Sequence, residues 1–95
     1  MKVLFVAAEA SPFVKVGGLG DVIGGLPAAL NENGVDARVV LPLYSSIDRN
    51  KYNIRFVKYI YVSLGWKHIY CGIFEAEHKG IKFYFIDNEQ YFNRY

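Results

Sequence analysis

Seven consecutive residues, Lys15-Val16-Gly17-Gly18-Leu19-Gly20-Asp21, combine features that let a backbone bind an anion. Glycine has no Cβ, so its amide hydrogen can come close to a ligand and its φ can be positive. A helix starting just after such a turn aims its N-terminal partial positive charge at the same place, and Lys15 adds a mobile full charge. Phosphate is the natural guest. The nucleotide fingerprints fit poorly. A G-x-G-x-x-G register starting at Gly18 would need glycine at position 23, where Ile23 stands, and no Gly-Lys-Ser/Thr triplet occurs. On the residues alone, two readings stay open: a general phosphate or sugar-nucleotide site, and a structural glycine-rich connection.

Other residues with chemical potential read more plainly. Glu9 could meet substrate or pair with Lys15, and a structural ion pair is expected. His68 and His78 flank turns with no Cys, Asp or Glu arranged as ligands, so they are expected at the surface and no metal site is predicted. Cys71, the single cysteine, cannot form an internal disulfide and reads as a small buried hydrophobe within a strand.

The elements around the turn follow from hydrophobic pattern. Val3–Ala8 is an unbroken apolar run, as expected of a strand buried on both faces at the centre of a parallel sheet. Glu9–Gly20 is then a loop of unusual length, a class that tends to be functional. From Asp21 to Asn33, Val22, Ile23, Leu26, Ala29 and Leu30 recur at helical spacing, with Asn33-Gly34 as the stop. Pro27 should kink this helix, and Gly24-Gly25 would let it lie close to the sheet. Val35–Leu41 is a second strand, which completes a βαβ unit with a right-handed crossover. After a polar connection, Ile54–Leu64, Lys67–Ala76 and Ile81–Ile86 read as an antiparallel meander, turning at Gly65-Trp66 and His78-Lys79-Gly80. Its last strand could rejoin the parallel sheet. The expected class is therefore α/β: a Rossmann-like βαβ start over 1–42 and a β-meander over 54–86.

Composition sets the outer limits. In 95 residues, 53% are hydrophobic, 17% aromatic and 21% charged, which is enough apolar surface for a folded domain. Eleven basic against nine acidic residues give a net charge of +2, too weak a field to make nucleic acid an expected partner. The run Val3–Ala8 is cut by Glu9 and Pro12 and is too short for a signal-peptide core or a bilayer span, so a cytoplasmic protein is expected. So small a doubly wound sheet leaves an open edge and few helices, as expected of the opening part of a larger protein.

The order of motifs resembles the amino terminus of bacterial glycogen synthases and plant starch synthases. It runs through Val3–Glu9, Pro12-Phe13, Lys15–Leu19, Asp21-Val22 and Leu26-Pro27, then Gly34–Asp36, Val39–Pro42, Phe85–Asn88 and Tyr91–Arg94. The family hallmark is Lys-Thr-Gly-Gly-Leu followed by Ala-Asp-Val. Here Val16 replaces Thr and Gly20 replaces Ala.

The resemblance implies the amino-terminal domain of a GT-B glycosyltransferase that moves glucose from ADP-glucose to the non-reducing end of an α-1,4-glucan with retention. It implies that Lys15 contacts the sugar nucleotide and that Gly17 and Gly18 bring amides to the distal phosphate. Asp21 would contact the transferred glucose, cap the helix, or do both. ADP-glucose is a substrate, so no cofactor is implied; the partners are ADP-glucose, the glucan acceptor and the remainder of the protein. The family's His-Asp-Trp-His segment and carboxy-terminal Arg, Lys and Glu are not among these residues, so the 95 residues are expected to be inactive alone. Phe56, Tyr59, Tyr61 and Trp66 could stack on glucan rings, but core or cross-strand pairing is the expected role. Tyr91, Phe92 and Tyr95 are expected to pack on the rest of the domain. The alternative is a non-catalytic carbohydrate- or nucleotide-binding module.

Overall fold

Alternating apolar residues, one amphipathic helix and tight glycine turns assemble a single mixed sheet. The structure, a computed structural model, describes residues 1–14, 17–44 and 46–88, with backbone alone at Leu64. Lys2–Val6 forms β1, Gly18–Glu32 α1, Asp36–Pro42 β2, Arg55–Leu64 β3, Lys67–His78 β4 and Ile81–Asp87 β5. The five strands lie in the order β1-β2-β5-β4-β3. β1, β2 and β5 run parallel, whereas β4 is antiparallel to both β5 and β3. The last strand of the meander thus rejoins the parallel sheet beside β2.

The turns account for this order. Lys79 and Gly80 have φ of 53° and 79°, the two positive values a type I′ hairpin needs, so β4 returns directly as β5. Helix α1 stops at Gly34, whose φ is 84°. There the Val35 amide donates to the Leu30 carbonyl and the Gly34 amide to that of Asn31, a Schellman closure that turns the chain into β2. Strict alternation in β2 and β5 places Val39, Leu41, Phe83 and Phe85 in the core, where Ile23 of α1 and Phe13 of the preceding loop join them.

Three expectations are corrected. β1 is not central: it lies at the edge of the sheet, with Leu4 59% and Val6 82% exposed, because α1 covers only one sheet face. The helix begins at Gly18, three residues before Asp21, and it turns Val22 and Leu26 outward while burying Gly20, Ile23 and Pro27. Pro27 lies inside this helix and is fully buried, so packing offsets the lost backbone bond, as expected. Finally, Phe56, Tyr59, Tyr61 and Trp66 are all more than half exposed. Tyr59 and Tyr61 both meet Tyr70 across the strands and Phe56 meets Phe74, so cross-strand pairing holds for these three but core burial does not, while Trp66 at the turn lies under Lys67 Nζ.

Candidate functional site

The parallel strands β1, β2 and β5 end on the same side of the sheet, and there the loop after β1 is folded into a compact platform. Ala10 and Val14 exchange amide-to-carbonyl bonds of 2.9 and 3.0 Å, closing residues 10–14 into a tight turn. The Phe13 ring is pushed into the core, edge-on to Tyr52, Phe83 and Phe85 at 4.8–5.0 Å. From the connection after β2, the Tyr44 hydroxyl donates to the Ala8 carbonyl and that of Tyr52 to the Pro12 carbonyl. The Ser11 amide donates to the Gly20 carbonyl at 3.0 Å, tying the platform to the first turn of α1. Irregular in sequence, the loop is therefore fixed at many points.

Glu9 organises the glycine turn. Its side chain is buried in the loop that follows β1. Oε1 accepts the Gly20 amide at 2.7 Å and the Gly17 amide at 3.2 Å, and Oε2 accepts the Gly17 amide at 3.3 Å. The first amides of a helix have no partner within it. Gly17, the N-cap, makes no side-chain cap bond, and a carboxylate from upstream supplies the acceptor instead. That explains a helix starting inside a glycine-rich run. It also shows that Asp21 is not the cap: Asp21 sits in the first turn, exposed, where its charge complements the helix dipole.

The two glycines of the turn divide their tasks. The Gly17 amide is bound by Glu9, and its φ of −149° is extended backbone that any residue adopts. Gly18 begins the helix, and a Cβ built on it would meet no described atom within 4 Å. Neither position is glycine because of positive φ, which corrects that part of the expectation. At Gly18 the missing side chain leaves an open surface over the helix N-terminus. Further along α1 the paired glycines differ again. A Cβ on Gly24 would stand 3.0 Å from that of Ser11, whereas one on Gly25 would meet nothing. Gly24 thus lets α1 approach the site loop, not the sheet.

Asp21 also borders a shallow cleft of about 310 Å³, lined by Ser11, Pro12, Gly24, Gly25 and the His78-Lys79 turn. His78 is half-buried against the Phe13 ring at 6.1 Å, contrary to a surface placement, while His68 is exposed beside Ser63. Cys71 is half-buried in β4 opposite Ile60. Among the described residues no three His, Cys, Asp or Glu side chains converge as a metal site would require. Nor is any helix there long and apolar enough to cross a membrane. Arg38 is engaged in the middle of β2, where Asp36 and then the Tyr84 hydroxyl raise its pKa above the ordinary value. Lys15 lies outside the described residues, as do Tyr91, Phe92 and Tyr95. The structure brings Gly17, Gly18 and Asp21 together around one helix start. Sequence reading missed Glu9 as the organiser, although an acid directly after a strand and ahead of a glycine turn is a usable signal.

Comparison with known proteins agrees with this architecture. A family model described as the starch synthase catalytic domain matches residues 2–95. A glycogen synthase of Clostridium kluyveri is 56% identical over 95 residues, covering 99% of this chain and 20% of the relative. Glycogen synthases of Finegoldia magna and Lactobacillus acidophilus are 52% and 48% identical with the same coverage. The chain thus spans about one fifth of the length of the relatives it matches. Among solved structures, the catalytic domain of starch synthase IV from Arabidopsis thaliana, bound to ADP and acarbose, superposes with a TM-score of 0.86 at 30% identity. That match covers 97% of this chain and 20% of the other.

Proposed function

The chain belongs to the starch synthase catalytic domain family, and from that premise we propose that it forms one wall of the active-site cleft of a glycogen synthase. The reaction is transfer of glucose from ADP-glucose to the non-reducing end of an α-1,4-glucan, with retention at the anomeric carbon. Residues 1–95 are the opening part of the amino-terminal Rossmann-like domain of a GT-B enzyme, with 1–42 as its βαβ unit and 54–86 as its meander. The five-stranded mixed sheet and helix α1 match that part of the catalytic domain.

In this reading the glycine turn faces the sugar-linked diphosphate. Lys15 neutralises charge as ADP departs, and the helix N-terminus adds its dipole. The Gly18 amide approaches the distal phosphate across the surface left open by the missing side chain. Asp21, one turn along, receives hydroxyls of the transferred glucose. Gly17 contributes by shaping the turn, its amide being held by Glu9. No covalent nucleophile comes from this segment, and the chemistry here is electrostatic stabilisation of the leaving group. ADP-glucose and the glucan are substrates, no cofactor takes part, and the enzyme works in the cytoplasm.

One observation carries the reading: an open, Cβ-free helix start on a platform fixed by its own hydrogen bonds, in a chain 56% identical to a glycogen synthase. The test is kinetic. In the full-length enzyme, Lys15→Ala and Lys15→Gln should each lower kcat/KM for ADP-glucose, the second variant keeping most of the stem and losing the charge. If either leaves kcat/KM unaltered, the assignment of the turn fails.

A further inference from the structure

We propose that Glu9 is a positioning residue of the sugar-diphosphate site, holding the Gly17-Gly18 turn in its receptive shape without touching substrate. This rests on the assignment of the glycine turn given above.

An amide cluster at a helix start is ordinarily where an external anion binds. Here part of that cluster is occupied from inside. One carboxylate spans Gly17 and Gly20, three residues apart, with both oxygens in use and the shortest bond at 2.7 Å. The side chain is buried, so the carboxylate is walled off from the surface on which Gly18 lies open. A phosphate therefore does not replace Glu9. It meets a surface whose curvature Glu9 has already set, by fixing the residues on either side of Gly18 and Leu19. On the far side, the Ser11 amide bonded to the Gly20 carbonyl pins the same residue through its other backbone group. Gly20 is thus held from both directions, and the orientation of the Gly18 amide follows from it. Preorganised donors of this kind lower the cost of ordering at the moment of binding and reaction.

Three substitutions in the full-length enzyme separate positioning from stability. Glu9→Gln keeps one oxygen able to accept both amides, whereas Glu9→Ala removes every acceptor. Val39→Ala truncates a fully buried residue of β2, distant in role from the turn. Displacement of a binding group by a fraction of an ångström weakens catalysis steeply, so Glu9→Ala should lower kcat/KM for ADP-glucose by about tenfold or more. KM for the glucan acceptor should stay within about twofold, and Glu9→Gln should recover most of the loss, to within about threefold of the parent. Val39→Ala should lower the unfolding midpoint without this selective loss.

The proposal is overturned if Glu9→Ala leaves kcat/KM for ADP-glucose unchanged, or affects both substrates alike as Val39→Ala does. It is also overturned if Glu9→Gln is as impaired as Glu9→Ala, which would assign the effect to charge and not to shape. Lys15→Ala, measured alongside, distinguishes the two levels of argument. If it impairs ADP-glucose use while Glu9→Ala does not, only the positioning role falls. If it has no effect, the assignment of the turn falls first.

Discussion

Substituting the two adjacent helix glycines by alanine should produce opposite results, because only one of them touches the site loop. Alanine in a helix interior is favoured over glycine by about 0.5–1 kcal/mol, through reduced backbone freedom in the unfolded chain. At Gly25 no described atom outside the helix lies within 4 Å of the added Cβ, so Gly25→Ala should realise that gain. At Gly24 the new carbon would stand 3.0 Å from Ser11 Cβ and 3.5 Å from the Ser11 carbonyl oxygen. Carbon atoms pack at about 3.5–4.0 Å, so Ser11 or α1 must move by roughly half an ångström. Ser11 cannot yield freely, since its amide is bound to Gly20 and its neighbour Ala10 is fully buried and paired with Val14. Overpacking of this sort costs about 1–3 kcal/mol, which cancels or exceeds the propensity gain. Urea unfolding followed by circular dichroism should separate Gly25→Ala from Gly24→Ala by about 1 M in midpoint. Adding Ser11→Gly to Gly24→Ala removes the opposing carbon and should recover about 1 kcal/mol or more as a coupling energy. If Gly24→Ala stabilises as much as Gly25→Ala, the helix is not pressed against the site loop and the platform described above is wrong.

Two further outcomes follow from the same geometry. Phe13→Ala removes a ring packed edge-on against the core residues Phe83 and Phe85 and the partly buried Tyr52, and should destabilise the protein by about 3–5 kcal/mol in urea unfolding, with a loss below about 1 kcal/mol contradicting its role as the anchor of the loop. The isolated 95 residues should transfer no measurable glucose from ADP-glucose to maltooligosaccharide in a radiolabel assay, and turnover by them alone would refute the assignment of a single cleft wall.

The parts legible in the sequence are those determined locally. Alternation in Asp36–Pro42 and Ile81–Asp87 marks both strands and the residues they bury. Gly34 and the Lys79-Gly80 pair announce their turns because the required φ values favour glycine beside a permissive partner. What the sequence concealed is non-local. Val3–Ala8 reads as central because it is unbroken and apolar, yet position within a sheet depends on which strands arrive later, and β5 pairs with β2 instead. The helix start at Gly18 is invisible to propensity, since glycine is a poor helix former; its acceptor is a carboxylate eleven residues upstream of Gly20. The platform is hidden for the same reason, being built from Tyr44 and Tyr52 reaching back across the sheet end. Residue type alone suggests the phosphate-binding role proposed for Lys15, Gly17 and Gly18, whereas the different surroundings of Gly17 and Gly18 required the fold.

The most direct trial of the account is Gly18→Ala in the full-length enzyme, read for stability and for ADP-glucose kinetics together. The added methyl meets no described atom of the protein and sits at the first helical position, so the unfolding free energy should be unchanged or raised by up to about 1 kcal/mol. In the proposed site the same methyl would stand where the diphosphate approaches the Gly18 amide, so kcat/KM for ADP-glucose should fall by about tenfold or more. Undiminished kcat/KM in a protein of unchanged stability would contradict the claim that this turn receives the sugar diphosphate.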